Sequence, residues 1–231
     1  MHVELNPVLL YSIRLTMNQN QIIRVMLVDD HAVVRAGYKR FIELNPEIRV
    51  IAEATTGEEA YELIKQIQVD VVILDLSMPG QGGFETLRKI MNRFPKQKVL
   101  VFTMHENAST ANQVLKIGAS GYLTKSMNPE LIVQAIHDVW RGGTPIEEGV
   151  AAALVDLQNN SSPHDNLLPR EYEVFLLLSA GESVDLICSK LNMSPRTVFN
   201  YQTTIRKKMA LHSHIEFNQY ALRHHLIQSP P

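Results

Sequence analysis

Val69-Asp70-Val71-Val72-Ile73-Leu74-Asp75-Leu76-Ser77-Met78-Pro79-Gly80 is the stretch on which the fold turns. β-Branched and apolar residues, interrupted only by Asp70, run up to Asp75, and a turn signal follows at once. A continuous apolar run closed by a turn predicts a strand, Val69–Leu74, buried on both faces of a parallel sheet. In such sheets chemistry sits beyond the carboxyl ends of the strands. Asp75 stands at that place.

Outward from this strand the pattern repeats. Strands are expected at Ile22–Val28, Arg49–Ala54, Lys98–Phe102 and Gly121–Leu123. Helices are expected between and after them, at Ala32–Leu44, after Thr55-Thr56, at Gly83–Phe94, Thr110–Ile117 and Pro129–Arg141. In the first helix Val33, Val34, Gly37, Phe41 and Leu44 are expected to share the inner side. Thr55 or Thr56 caps the second, with Glu58 or Glu59 closing a capping box. Asn128 and Pro129 suit the start of the last. Five such β/α units predict a doubly wound parallel sheet with helices on both faces. From 144 to 165 the composition is that of a linker that holds one short Ala/Leu-rich helix, and beyond it strand signals vanish. Pro169–Ala180, Val184–Leu191, Ser194–Met209 and His214–His225 read as helices. The expected organisation is an extension without order over 1–21, an α/β domain over 22–143, a linker over 144–165 and an all-α four-helix domain over 166–231. Met17 offers a second start.

Bulk properties narrow the function. A hydrophobic share of 45% supports a real core, and a net charge of −2 fits an ordinary soluble protein. The single cysteine, Cys188, excludes an internal disulfide and a cysteine-rich zinc site, and fits a reducing, cytoplasmic setting. No apolar run approaches the roughly 20 residues of a membrane span. The residues from Pro163 onward carry a net charge of +1 and the rest −3, a weak bias toward nucleic acid in the tail.

The strand ends carry the chemistry: Asp29 and Asp30, Asp75, Thr103 and Lys125. Three neighbouring carboxylates repel each other and invite a hard divalent cation such as Mg²⁺. A carboxylate beside such a cation can attack phosphorus. Lys125 and the Thr103 hydroxyl can serve the phosphoryl oxygens. Each residue alone is ordinary loop chemistry; it is their placement at successive strand ends that points to a site. At Val28-Asp29-Asp30-His31, Asp75-Leu76-Ser77-Met78-Pro79-Gly80, Thr103 and Gly118-Ala119-Ser120-Gly121-Tyr122-Leu123-Thr124-Lys125 the chain resembles the receiver domain of two-component response regulators. The resemblance implies a flavodoxin-like sheet of order 2-1-3-4-5 and phosphorylation of Asp75 by a sensor histidine kinase. It implies Mg²⁺ on Asp30, with Asp29, Asp75 and the Ser77 backbone carbonyl. It implies a switch in which Thr103 moves to the phosphate and Tyr122 turns inward behind it. Many receivers carry proline after the lysine; here it is Ser126, so no cis peptide is demanded there.

In the tail, Val184–Leu191, a turn at Asn192-Met193-Ser194 and Pro195–Met209 have helix-turn-helix spacing. Ser194 suits the N-cap and Pro195 the first helical position. Leu186, Ile187, Leu191, Val198 and Ile205 are expected to be buried. Pro169-Arg170-Glu171-Tyr172-Glu173-Val174, Gly181-Glu182-Ser183, Ser194-Pro195-Arg196-Thr197-Val198 and Ile205-Arg206-Lys207-Lys208-Met209 resemble the LuxR/FixJ/NarL DNA-binding domain, and the whole chain resembles a NarL-type response regulator. The resemblance places Arg196, Thr197, Phe199, Asn200, Tyr201, Thr203, Arg206, Lys207 and Lys208 toward double-stranded DNA. The chain departs from the family pattern at Leu168, where a capping Thr is usual, at Val184-Asp185-Leu186, at Phe199 and at Tyr201.

The reading is a phosphorylation-dependent transcription factor, not an enzyme beyond its own phosphorylation and dephosphorylation. Without phosphate the receiver is expected to cover the recognition helix; phosphate frees it and favours a homodimer on paired half-sites. A phosphatase with an Asp nucleophile commonly needs a second Asp two positions on, where Ser77 stands. A tail that binds protein instead of DNA is the alternative.

Overall fold

The structure, a computed structural model, describes residues 22–78, 82–159 and 162–227. The expected 1–21 extension and residues Pro79 and Gly80 of the turn lie outside them. Five strands form one parallel sheet in the order β2-β1-β3-β4-β5: β1 (Ile23–Val28), β2 (Ile48–Ala54), β3 (Val71–Leu74), β4 (Lys98–Thr103) and β5 (Gly121–Thr124). The central strand β3 is buried along its whole length, as its unbroken apolar run requires. The crossing helices are α1 (Ala32–Ile42), α2 (Gly57–Gln66), α3 (Gly82–Arg93), α4 (Ala108–Ile117) and α5 (Glu130–Arg141).

Strand alternation sorts the core into two layers. Ile23, Val25, Leu27, Val71, Ile73, Leu100, Phe102 and Leu123 face α1 and α5, joining Ile42, Ile132, Ile136 and Val139. Met26, Val28, Val72, Leu74, Val99, Val101 and Tyr122 face α2, α3 and α4, joining Ala60, Leu87, Ile90 and Val114. Each such aliphatic side chain, fully buried, contributes about 1.5–3 kcal/mol.

Local rules set the helix ends. Thr56 caps α2 by accepting from Glu59 N–H, and Glu59 accepts in return from Thr55. Gly118 ends α4 in the left-handed region at φ 118°. The face of α1 corrects the sequence expectation. Tyr38, Phe41 and Ile42 pack on the sheet, whereas Val33 is 87% exposed and Gly37 and Leu44 also face solvent. Phe41 thus keeps its expected side and Val34 is half-buried, while Tyr38 and Ile42 take the inner places expected of Gly37 and Leu44. Val33 lies in the first turn, where the helix leaves the sheet edge beside the acidic residues.

Residues 144–159 are not a loose tether. Ile146 pairs with Tyr122 along the open edge of β5, and α6 (Glu148–Asn159) packs along α4. After a 3₁₀ turn, Pro163–Asn166, come α7 (Pro169–Ser179), α8 (Val184–Leu191), α9 (Pro195–Met209) and α10 (His214–Arg223). Tyr172, Phe175, Ile187, Val198, Ile205 and Phe217 form their core, with Cys188 half-buried against it. Leu186 is 43% exposed, against expectation. It sits in the first turn of α8, whose buried positions are Ile187 and Leu191. Ser194 caps α9 by accepting from Thr197 N–H, with Pro195 next. Leu168 has no acceptor to offer α7, so only the return half of a capping box survives, Leu168 N–H donating to Glu171 at 2.7 Å.

Candidate phosphoacceptor site and tail interface

The parallel sheet brings the ends of β1, β3, β4 and β5 to one edge. Asp29 and Asp75 are buried there, and Thr103 is fully so. Backbone N–H groups orient the acids: His31 N–H donates to Asp29 Oδ1 at 2.8 Å and Ser77 N–H to Asp75 Oδ1 at 3.1 Å. Lys125 Nζ bridges the two remaining oxygens, 2.7 Å from Asp29 Oδ2 and 2.6 Å from Asp75 Oδ2. Burial opposes a charged ammonium, but these bonds outweigh it and hold the lysine above its ordinary pKa. The ammonium is therefore present across the physiological range.

Oxygen or nitrogen atoms of Asp29, Asp30, His31 and Asp75 all lie within 4.8 Å of one another. Asp30 Oδ1 is buried with no hydrogen-bond partner, although His31 Nδ1 lies 3.0 Å away. An orphaned buried carboxylate oxygen among hard donors fits a divalent cation. Close packing seats the start of α3 against Asp75 and Leu76. At Gly83 an added Cβ would lie 2.2 Å from the Asp75 carbonyl and 2.4 Å from Leu76 Cα, so only glycine lets α3 approach.

Tyr122 is fully buried and its hydroxyl donates to the His105 carbonyl at 2.6 Å. Burial, reinforced by neighbouring negative groups, pushes this phenol far above its usual pKa, so it remains a donor. Tyr122 thus already points inward. Thr103 Oγ1 accepts from His105 N–H at 3.5 Å, and the His105 ring lies 3.3 Å from Ser77 Oγ. Burial lowers the His105 pKa, with the Asp75 charge opposing, which keeps the ring neutral near pH 7.

The tail docks on α3 and α4. Arg170 bonds Glu85 of α3 and Glu173 of its own helix, while Arg88 of α3 bonds Glu85 and forms an ion pair with Glu173. Ser109 of α4 bonds His164 and Asp165 at 2.8 Å each. Between the bodies lies a cleft of about 600 Å³ lined by Leu76, Met78, Met104 and His105 on one side and Leu176 and Leu191 on the other. Leu76, Met78, Met104 and His105 therefore face the tail across this cleft.

The α/β domain does not cover α9, contrary to expectation. Arg196, Asn200, Thr203, Lys207 and Lys208 are exposed and Phe199 is 54% exposed. Docking runs instead through α7 and the end of α8, because the charged pairs and the Leu-rich surface lie there. Not every expected contact residue is free. Lys208 Nζ is held by Glu171 at 2.6 Å, Thr203 donates to the Phe199 carbonyl at 2.9 Å, and Tyr201 packs partly on the tail core. Thr197 Oγ1 lies 2.8 Å from Ser194 Oγ, and Arg206 is half-buried. Sequence reasoning passed over Gly83, His105, Arg170 and Glu147. Gly83 and His105 flank the strand ends and could have been weighed; Arg170 and Glu147 act across long sequence separations and leave no local signal.

Residues 25–137 match the family model described as the response regulator receiver domain, and residues 165–221 that of the bacterial regulatory proteins of the luxR family. The chain is similar to "Response regulator UvrY" of Escherichia coli, at 36% identity over 208 residues, covering 88% of this chain and 95% of the relative. It is similar to "Response regulator GacA" of Pseudomonas aeruginosa, at 35% identity over 211 residues, covering 90% and 99%. Among solved structures it is similar to RcsB of Salmonella enterica serovar Typhimurium bound to the promoter rprA with phosphomimetic BeF3⁻. That match has 25% identity and a TM-score of 0.72, covering 86% of this chain and 98% of that one. Among the described residues no helix is long and apolar enough to cross a membrane.

Proposed function

This chain belongs to the response regulators that join a receiver to a LuxR-type C-terminal domain, and from that premise we propose that phosphorylation of Asp75 by a sensor histidine kinase controls its binding to double-stranded DNA. The observation that carries the proposal is the bridge from Lys125 to Asp29 and Asp75 at 2.7 and 2.6 Å. It leaves Asp75 oriented and next to a fixed positive charge.

A carboxylate oxygen of Asp75 forms a bond to the phosphorus of the donor's phosphohistidine as the P–N bond breaks, and the released imidazole takes up a proton. Lys125 meets the charge on the transferred oxygens, and the Thr103 hydroxyl donates a hydrogen bond to one of them. Asp29, Asp30, Asp75 and the Ser77 carbonyl would hold Mg²⁺, which supplies further neutralisation of phosphoryl charge. Thr103 and Tyr122 form the switch: both bond to His105, so drawing Thr103 toward phosphate moves the loop that lines the cleft against the tail. The receiver catalyses only its own phosphorylation and dephosphorylation, in the cytoplasm.

At the other end Arg196, Thr197, Arg206, Lys207 and Lys208 meet phosphates, Lys208 by exchanging Glu171 for DNA. Phe199 and Asn200 face base edges, with Tyr201 and Thr203 at their rim; Phe suits a thymine methyl and Asn an adenine. Phosphorylated chains pair as a homodimer on two half-sites. The RcsB relative, solved on promoter DNA with a phosphomimetic, supports this reading.

The test measures affinity for duplexes selected from a random library, with and without beryllofluoride. Tighter binding that Asp75→Asn abolishes is expected. Binding that ignores both sinks the switch, and an affinity insensitive to salt sinks DNA as the partner.

A further inference from the structure

We propose that Glu147, which lies beyond the last receiver helix, is a positioning residue for Lys125 in phosphoryl transfer to Asp75. The proposal rests on Asp75 being the phosphoacceptor.

Lys125 works only if its ammonium stays between two carboxylates, and its stem leaves the end of β5. Ser126 follows, where many receivers carry a proline ring to stiffen the chain, and no peptide bond among the described residues is cis. The stiffness here has another source. Pro145–Glu147 lies along the open edge of β5, with Tyr122 N–H donating to the Pro145 carbonyl at 2.9 Å and Glu147 N–H to the Tyr122 carbonyl at 3.2 Å. This seats the Glu147 side chain at the strand's end. Its Oε2 accepts from Thr124 N–H at 3.1 Å and also from the Thr124 hydroxyl. Because that hydroxyl proton is committed to the carboxylate, Ser126 is the donor in the 2.8 Å contact between Ser126 Oγ and Thr124 Oγ1. One carboxylate oxygen thus holds Thr124 directly, and Ser126 on the other side of Lys125 through the Thr124 hydroxyl.

Thr124 is almost fully buried, so water cannot replace these bonds when they are lost. A loop that must turn to satisfy its donors carries Lys125 with it. A displacement of about 1 Å in a reacting constellation costs up to roughly 10²-fold in rate. The same residue directly precedes α6, so the position of the site lysine and the start of the path to the tail are set by one strap.

The experiment follows labelling of the full chain by acetyl phosphate at saturating Mg²⁺, together with melting temperature. Glu147→Ala should label about tenfold more slowly at an unchanged Mg²⁺ affinity. Glu147→Gln keeps an acceptor oxygen and should stay within about twofold of the parent, since the role is hydrogen bonding and not charge. In a Lys125→Gln background, where labelling is slow but measurable, Glu147→Ala should add nothing, because it acts only through the lysine. A full further loss in that background, or Glu147→Ala labelling at the parent rate, overturns the proposal. A slow Glu147→Gln that melts with the parent does so too. A parent that never labels overturns the function reading itself, a result distinct from either.

Discussion

Replacing Arg170 with alanine should uncouple the two bodies and make the stability of the chain depend on pH in a set direction. Arg170 Nη1 bonds Glu85 and lies 2.9 Å from Glu173, while Nη2 lies 2.6 Å from the Leu191 carbonyl in the helix-turn-helix. Glu173 is buried, and its other oxygen, Oε1, has no partner. Removing one partner of a buried ion pair costs about 3–5 kcal/mol, mainly because the other charge is left behind. Here Arg88 still reaches Glu173 at 3.0 Å, and the Arg170 side chain is 19% exposed. Both facts move the cost toward about 2–3 kcal/mol.

The sign of the pH effect follows from Glu173. Burial, outweighing Arg88 and Arg170, already holds its carboxyl above the usual range. A raised native pKa means the folded state binds the proton more tightly than the unfolded one, so the stability it brings is present at low pH and lost as pH rises through the native pKa. Without Arg170 that pKa climbs further. The penalty should therefore be larger at pH 8 than at pH 5, where the stranded carboxyl can take a proton. Urea unfolding followed by circular dichroism at both values gives the numbers, and hydrogen exchange in α7 locates the loss. A penalty below about 1 kcal/mol, or one that grows on acidification, refutes the reasoning.

Three other outcomes are expected. Gly83→Ala should destabilise by about 3 kcal/mol in urea, because its Cβ meets the Asp75 carbonyl and not a movable side chain, and should slow acetyl phosphate labelling. Leu168→Thr should stabilise by about 1 kcal/mol by restoring a side-chain acceptor at the start of α7; no gain in the urea midpoint would show that the Glu171 half suffices. In DNA titrations Lys207→Ala should reduce the slope of log affinity against log salt by about one, whereas Phe199→Ala should alter base preference and leave the slope as it is.

The linear pattern revealed most of the receiver because its signals are local. An apolar run such as Val69–Leu74 can be satisfied only in a strand covered on both faces, and the acid that ends it stands at a strand end whatever the neighbouring strands do. The same holds for Ser194 and Pro195, which mark a helix start without help from the rest of the chain. Composition misled where it was read without partners. Residues 144–159 show a short helix inside a linker composition but nothing of its contacts, and Ile146 closes the edge of β5 while Glu147 ties down Thr124. Val33 and Leu44 fit a helical stripe equally well with the true inner face, and only the position of the sheet chose between them.

By itself, then, the amino-acid order determined the five β/α units, the helical tail and the residues Asp29, Asp30, Asp75, Thr103 and Lys125 as candidates for one site, because backbone propensity, burial pattern and strand-end chemistry act within a few residues. The tertiary structure decided what those residues touch. It set Lys125 between carboxylates that lie 50 and 96 positions away, left the face of α9 open, and seated Arg170 on a glutamate 85 positions distant. Hydrogen bonds and ion pairs have ranges of about 3 Å, so contacts between residues so far apart in sequence exist only once packing has brought them together.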